Sequence, residues 1–131
     1  MAHVTVINEH QYVQQIVSGH HRLTADQAAN GGSSEAGWSP AELMLSGLGA
    51  CTAIAVRKHA LGKGWSLGKV TVGLRLSREG GNGEHIERRI SFTRPATAEQ
   101  RAELLQIIEQ TPLSRLLSKA LPIRSELLEQ S

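Results

Sequence analysis

Short apolar runs separated by polar turn residues fill the first part of the chain. The runs are Val4–Val6, Tyr12–Val17 and Leu23–Ala25, and the polar segments are Asn8–His10 and Asn30–Ser34. Two apolar runs around a short polar break are typical of a β-hairpin, and the third run predicts another short strand beside it. The glycine- and serine-rich segment that follows predicts a loop that continues to Gly37.

A long helix is predicted directly after this loop. Ser39 suits the N-cap, Pro40 the first helical position and Glu42 the third, so these residues predict a capping box. Apolar positions continue at helical spacing as far as Leu61. Gly62 is the predicted C-terminal cap, because glycine readily adopts the left-handed conformation that commonly ends a helix.

This helix is apolar on nearly every side between Leu43 and Val56. Such a helix is normally covered on more than one face, which predicts a central element of the fold. Gly47, Gly49 and Ala50 lie inside it, and a helical glycine costs about 1 kcal/mol relative to alanine, so we expect another backbone to approach there. A single chain with 3% aromatic residues has few large side chains with which to cover several faces of this helix. We therefore predict an intertwined homodimer whose central helices pack near the glycines.

Two alternating segments predict the strands of a second hairpin. They are Lys69–Leu76 and His85–Phe92, joined by the turn-rich segment Arg78–Gly83. Neither this glycine stretch nor Gly31-Gly32 has the lysine and hydroxyl residues of a phosphate-binding loop, so both predict turns.

The last third of the chain predicts two helices and a strand. Thr97 and Gln100 form a second capping box, and Thr111-Pro112 ends the helix that they begin. The buried stripe of that helix is predicted as Leu104, Leu105, Ile107 and Ile108. A short helix at Leu113–Lys119 and a closing strand at Leu121–Leu127 complete the pattern. With no repeat or linker, the order of elements predicts one α+β domain over residues 1–131, with antiparallel sheets around a long central helix.

Composition excludes several classes of protein. The net charge is only +2, and the sequence has no run of Lys or Arg and almost no aromatic residues that could stack on bases. Binding to nucleic acid is therefore not expected. No segment reaches the roughly 20 apolar residues of a membrane helix. The N-terminus lacks the basic and apolar regions of a signal peptide, so we expect a cytoplasmic protein. A single cysteine fits a reducing compartment.

Cys51 is the only candidate redox centre in this sequence. A free cysteine is more often a small buried hydrophobe than a reactive thiol, and a reactive thiol needs partial exposure and a stabilised thiolate. Arg57-Lys58 and Arg88-Arg89 are most simply solvent-facing charges, although one of them could supply a positive field in a dimer. The six histidines lack the spacing of a zinc site, so no metal and no cofactor are expected.

The segment around Cys51 resembles the core signature of the OsmC/Ohr family. The resemblance rests on Ser39–Leu45, Gly47–Ile54, Gly62–Trp65, Gly19–Leu23 with Asp26, and Glu109–Leu113. It spans nearly the whole chain in element order and implies an OsmC-like fold in a homodimer. The implied activity is reduction of organic hydroperoxides, in which a cysteine thiolate is oxidised to a sulfenic acid. By resemblance, Cys51 is the attacking residue.

This sequence departs from the family pattern at three positions. Thr111 stands where the family has a second, resolving cysteine, so an external small thiol, lipoyl group or redox protein would have to act as reductant. The family's peroxidases have glutamate after the helix proline, where this chain has Ala41 and carries the acid one residue later, at Glu42. Their N-terminal arginine has no clear counterpart, and Arg22 is the nearest basic residue.

Helix geometry separates Glu42 from Cys51 within one chain. At about 100° and 1.5 Å per residue, the two side chains project from opposite faces, with a rise of roughly 13.5 Å between them. Glu42 could therefore meet Cys51 only from a second chain. Its alternative role is that of the capping-box acid.

Three functions remain open at this point. The first is a one-cysteine thiol peroxidase acting in oxidative-stress defence. The second is a non-enzymatic dimer of the same fold, which binds a small ligand and uses Cys51 for packing. The third is a redox sensor in which Cys51 forms mixed disulfides with a partner.

Overall fold

The computed structural model describes residues 2–28, 31–32, 34–78, 83–119 and 121–128. Five strands and three helices lie in these ranges. In chain order they are β1 (Thr5–Asn8), β2 (Gln14–Ser18), β3 (His21–Ala25), α1 (Pro40–Lys63), β4 (Val70–Ser77), β5 (His85–Phe92), α2 (Ala98–Glu109) and α3 (Pro112–Leu117). The chain has the α+β class and the long helix that the sequence predicts.

The chain divides into two compact units, which share α1. The first contains residues 1–50 and 72–90, and the second contains residues 51–71 and 91–131. Residue 51, the candidate nucleophile, is therefore the first residue of the second unit.

In the first unit, β1, β2 and β3 form an antiparallel sheet in that order. Thr5 pairs with Val17 and Gln14 pairs with Ala25, which confirms the predicted hairpin and its third strand. The end of β3 also forms a bridge to Trp38, just before α1. The start of α1 is thereby tied to the sheet through hydrogen bonds of the main chain.

The second hairpin is confirmed, with β4 and β5 forming a two-stranded sheet. Its antiparallel register is visible in the first unit, where Arg75 contacts Glu87 and Arg78 contacts Glu84. Most of the predicted turn, residues 79–82, lies outside the described residues. At Gly49 of α1, an added Cβ would lie 2.8 Å from the Leu74 side chain of β4, so the close neighbour at this glycine is a side chain rather than the backbone we expected.

The helix ends follow local capping chemistry. The Ser39 N–H donates to the Glu42 carboxylate at 2.9 Å, and the Glu42 N–H donates to the Ser39 hydroxyl at 3.2 Å, which confirms the first capping box. The second, from Thr97 to Gln100, is confirmed as well. The predicted C-terminal cap of α1 is wrong by two residues, because the helix continues through Gly62 to Lys63 and Gly64 takes the left-handed conformation, with φ 73°.

The core of the second unit is small and aliphatic. Its fully buried side chains come from α1, α2 and the segment before β4; they are Thr52, Val56, Ala60, Leu67, Leu104 and Ile108. The residues from α1 recur at every fourth position, so they form one buried stripe on that helix. Leu105 was predicted as part of the α2 stripe, but it is exposed, because the buried face of α2 is centred on Leu104 and Ile108.

The prediction of a closing strand over Leu121–Leu127 is wrong for the described residues. Positions 121–128 have no helix or strand, and all of their side chains are exposed. A β-strand requires a neighbouring strand to satisfy its backbone groups, and the described part of this chain offers none to this segment. Four large apolar side chains in it are consequently left uncovered: Leu121, Ile123, Leu127 and Leu128.

Candidate active site around Cys51

Cys51 is a free thiol on α1 and is partly exposed. Its neighbour Thr52 is fully buried, whereas Ile54, on the same helix, is 64% exposed. Cys51 therefore lies at the border between the buried stripe of α1 and a face that the chain leaves open. Its sulfur makes no hydrogen bond with any residue in the described ranges.

The open face of α1 beside Cys51 is apolar. Ile54 and Leu61 lie seven residues apart, which is two helical turns, and Leu61 is 71% exposed. Residues three apart are neighbours on a helix surface, so Ile54 lies beside Cys51. An organic molecule that approached the thiol from this side would meet hydrocarbon.

Lys58 is the cation on the same face as Cys51. The two residues are seven positions apart, two turns of helix and a rise of roughly 10.5 Å. Arg57 is directed elsewhere, because its guanidinium donates to the Gly68 carbonyl at 2.5 Å. Of the adjacent pair Arg57-Lys58, only the lysine is thus free to contribute its charge to the open face.

Glu42 is occupied by the capping box and does not meet Cys51 of its own chain. One carboxylate oxygen accepts the Ser39 N–H, and the side chain is partly buried at the first turn of α1. Ala41, which by resemblance stands where the family's peroxidases have glutamate, is also partly buried. Arg22 lies exposed on β3.

Thr111 is a buried structural residue between α2 and α3. Its side-chain oxygen lies 3.0 Å from the Ile108 carbonyl and 2.7 Å from the Ser114 hydroxyl. Only 4% of the residue is exposed. Where the resemblance implies a second cysteine, this chain therefore has a hydroxyl that satisfies the end of a helix.

A histidine–glutamate pair joins α1 to α2, which the sequence analysis did not identify. The His59 Nε2 atom lies 2.5 Å from a Glu103 carboxylate oxygen, and Lys63 lies 3.8 Å from the same oxygen. The hydrogen bond from His59, followed by the charge of Lys63, holds the pKa of the Glu103 carboxyl below its usual range. The rings of His59 and Trp65 pack in a T-shaped arrangement, with ring centres 5.3 Å apart. No sequence signal could reveal this pair, because its members are 44 residues apart.

A groove of about 470 Å³ runs beside this pair. It is lined by Ala55, Lys58, His59, Gly62, Lys63 and Ile107. Lys58 and Ala55 place it on the part of α1 that follows Cys51.

Within the described residues, no three His, Cys, Asp or Glu side chains are grouped so that they could hold a metal ion. None of the helices in these ranges is long and apolar enough to cross a membrane.

Several solved structures have the same fold. An OsmC-like protein from Mycoplasma pneumoniae superposes with a TM-score of 0.73 at 19% identity, over 88% of this chain and 86% of that one. An organic hydroperoxide resistance protein OsmC from Legionella pneumophila gives a TM-score of 0.65 at 19% identity, over 87% and 86% of the two chains. An OsmC-like protein of unknown function from Vibrio cholerae gives 0.61 at 12% identity, over 88% and 93%. At these identities the likeness shows a shared fold.

At the level of sequence, no curated protein matches this chain significantly. The family model described as OsmC-like protein matches residues 31–126, a range that contains α1, both strands of the second hairpin, and α2 and α3. Since this match covers well over half of the sequence, the chain belongs to the OsmC-like protein family.

Proposed function

We propose that this protein is a one-cysteine thiol peroxidase that reduces organic hydroperoxides. The observation that carries the proposal is the position of Cys51, partly exposed at the edge of an uncovered apolar face of α1. Family membership and the name of the Legionella pneumophila neighbour, an organic hydroperoxide resistance protein, support the same chemistry.

The reaction balances with an external thiol. The Cys51 thiolate attacks the terminal peroxide oxygen, the O–O bond breaks, and the alkoxide leaves as an alcohol after taking a proton; Cys51 is then a sulfenic acid. A first reductant thiol condenses with the sulfenic acid, which gives a mixed disulfide and water. A second thiol attacks that disulfide and releases Cys51 as a thiol. The buried hydroxyl of Thr111 cannot take the role of the first reductant, because it forms no disulfide.

The proposal includes a homodimer acting in the cytoplasm, in which the open face of α1 is covered by a second copy. Ile54 and Leu61 would lose their exposure, and Cys51 would lie at the wall of an apolar crevice. Glu42 of the partner subunit is the acid that we place near Cys51, provided that the dimer brings the start of one α1 to the middle of the other.

The test is the oxidation of Cys51 by peroxides of different polarity. Cumene hydroperoxide should oxidise Cys51 to a sulfenic acid, which dimedone traps. This oxidation should be much faster than the oxidation of Cys51 by hydrogen peroxide, and much faster than the oxidation of glutathione, a free thiol, by cumene hydroperoxide. Consumption of peroxide with excess dithiothreitol should be lost in Cys51→Ser, while the unfolding midpoint stays close to wild type. Oxidation no faster than that of the free thiol would overturn the proposal.

A second candidate is a ligand-binding or redox-sensing member of the family in which Cys51 is a packing residue. The observation in its favour is that the sulfur has no hydrogen-bond donor in the described ranges. Under this alternative, Cys51→Ser lowers the free energy of unfolding and there is no peroxidase activity to lose. Formation of a stable mixed disulfide with a protein partner, without turnover, would favour the sensor.

A further inference from the structure

A second cavity lies in the first unit, and its lining is acidic and aromatic. Its volume is about 550 Å³, in the range of small-molecule sites. The lining residues are Leu23, Thr24, Ser34, Glu35, Ala36, Gly37, Trp38 and Glu42. Two of them are carboxylates, one is an indole, and none is a lysine, arginine or histidine. We call this cavity the Trp38 pocket.

The wall that carries the indole is fixed by main-chain hydrogen bonds. The Trp38 N–H donates to the Thr24 carbonyl at 3.3 Å, and the Asp26 N–H donates to the Trp38 carbonyl at 2.9 Å. Gly37 packs so closely that a Cβ there would overlap the Thr24 carbonyl. The backbone of Trp38 is therefore held beside β3, which fixes the point from which its ring projects.

A side-chain network holds the adjoining loop. The Ser34 hydroxyl donates to an Asp26 carboxylate oxygen at 2.7 Å and accepts the Ala36 N–H at 3.0 Å. The Ser34 N–H donates to the Gly37 carbonyl at 3.1 Å. The pocket is thus formed before any ligand arrives, which reduces the ordering cost of binding.

The indole of Trp38 is left open inside this fixed wall. The residue is 49% exposed, although a tryptophan ring gains much from burial. The face of an indole attracts cations, most strongly among the aromatic side chains. An exposed ring beside two carboxylates is therefore suited to a positively charged ligand with an apolar surface.

The two carboxylates supply the matching charge. Glu35 is exposed and has no ion pair or hydrogen bond with any residue that the structure describes. Glu42 is held in place by its hydrogen bond from Ser39. The start of α1 carries a partial positive charge of roughly one half, which the full charge of Glu42 exceeds. The lining therefore carries two negative charges and no cationic side chain, in a chain whose net charge is +2.

We propose that the Trp38 pocket binds a small organic cation of the alkylammonium or quaternary ammonium class. The apolar groups of such a ligand would contact Leu23, Ala36 and the indole, while its charge lies between the ring and the carboxylates. This inference goes beyond the thiol chemistry at Cys51. Glu42 is common to the two sites, because the proposed dimer brings the partner's Glu42 near Cys51, and binding to the pocket is tested separately with Cys51→Ser.

Titration of the full-length protein with choline chloride tests the proposal. The indole N–H signal of Trp38, assigned with Trp38→Phe, should shift saturably with a Kd on the order of 1 mM, while the signal of Trp65 stays in place as an internal reference. The uncharged isostere 3,3-dimethylbutan-1-ol should shift the Trp38 signal weakly and without saturation. Cys51→Ser should bind choline as wild type does.

Two variants separate the contributions of charge and ring. Glu35→Gln should raise the Kd about fivefold, the factor for one charge pair at contact distance in water, and the exposed Glu99→Gln should leave it unchanged. Trp38→Leu, followed through the N-methyl protons of choline, should raise the Kd by about two- to thirtyfold. Equal binding of the alcohol, an unchanged Kd in Glu35→Gln, or no saturation of the Trp38 signal would each overturn the proposal.

Discussion

The turn that follows α1 contains two glycines with the same backbone conformation and very different surroundings. Gly64 has φ 73° and Gly68 has φ 72°. A Cβ on Gly64 would meet no heavy atom within 4 Å, whereas a Cβ on Gly68 would overlap the hydroxyl oxygen of Thr93. Replacing each by alanine therefore separates the cost of the backbone conformation from the cost of the contact.

Gly68→Ala should destabilise the protein far more than Gly64→Ala. The left-handed conformation costs about 1–2 kcal/mol for a residue with a Cβ, which is the whole penalty expected at Gly64. At Gly68 the Thr93 hydroxyl must also move, and it accepts the Lys69 N–H at 2.8 Å. Loss of that bond costs about 0.5–1.5 kcal/mol, and crowding adds about 1–3 kcal/mol. We expect a total of about 2.5–6.5 kcal/mol, a large share of the stability of a domain this size.

The assay is urea unfolding followed by circular dichroism at one fixed protein concentration, because assembly would make stability concentration-dependent. Gly62→Ala is the matched control: it lies within α1, a Cβ there meets nothing within 4 Å, and it should gain about 0.5–1 kcal/mol from helix propensity. The double variant Gly68→Ala/Thr93→Ala should lose less than its two single variants together, because the overlap is gone. The reasoning is refuted if Gly68→Ala is no less stable than Gly64→Ala.

Gly68 also matters for the candidate site. Its carbonyl accepts the hydrogen bond of Arg57, six residues after Cys51 on α1. A shift of this carbonyl would release the guanidinium, which is otherwise held away from the open face. The rate of Cys51 oxidation in Gly68→Ala, compared with Gly64→Ala, reports whether that restraint affects the thiol.

Three further predictions concern charge, assembly and redox chemistry. Arg75 and then His85 lower the pKa of Glu87, so this stabilisation is present above the ordinary glutamate pKa and is lost as the pH falls through the lowered value. The Gly83 carbonyl and then Glu87 raise the pKa of His85, so its contribution is present below the ordinary histidine pKa and is lost as the pH rises through the raised one. In a plot of urea midpoint against pH, Glu87→Gln should flatten the acid limb and only reduce the histidine limb, because the Gly83 carbonyl remains; an unchanged acid limb would contradict the assignment. Ile54→Lys should shift a dimer to monomer in sedimentation equilibrium, whereas Leu105→Lys, on the exposed side of α2, should not; a wild-type monomer would remove the proposed interface. Thr111→Cys should form an internal disulfide with Cys51 after treatment with cumene hydroperoxide, seen as a loss of free thiols, at a stability cost of about 1 kcal/mol; two free thiols after treatment would show that position 111 is not placed to resolve Cys51.

The features that the sequence analysis identified correctly depend on neighbours within a few residues. Both capping boxes join residues three apart, Ser39 with Glu42 and Thr97 with Gln100, so their hydrogen bonds follow from the order of residue types alone. The strands of the two hairpins follow in the same way from alternation and short turns. Cys51 could be singled out because it is the only cysteine and because the residues around it resemble a family signature.

What the sequence left undecided depends on residues far apart in the chain. The contact of His59 with Glu103, the pairing of Arg57 with the Gly68 carbonyl, and the pocket between β3 and the start of α1 exist only after folding. The end of α1 was placed too early because Gly62 and Gly64 are equally good caps by composition. In the folded chain the Trp65 N–H donates to the Ala60 carbonyl at 2.8 Å, and Gly64 takes the left-handed conformation. Leu121–Leu127 has the composition of a strand but no partner strand in the described chain, and a strand is defined by its partner. Local hydrogen bonds and periodicity are encoded in neighbouring residues. Exposure, charge environment and sheet pairing are set by the tertiary structure, because each of them depends on which residues from distant parts of the chain pack beside a given residue.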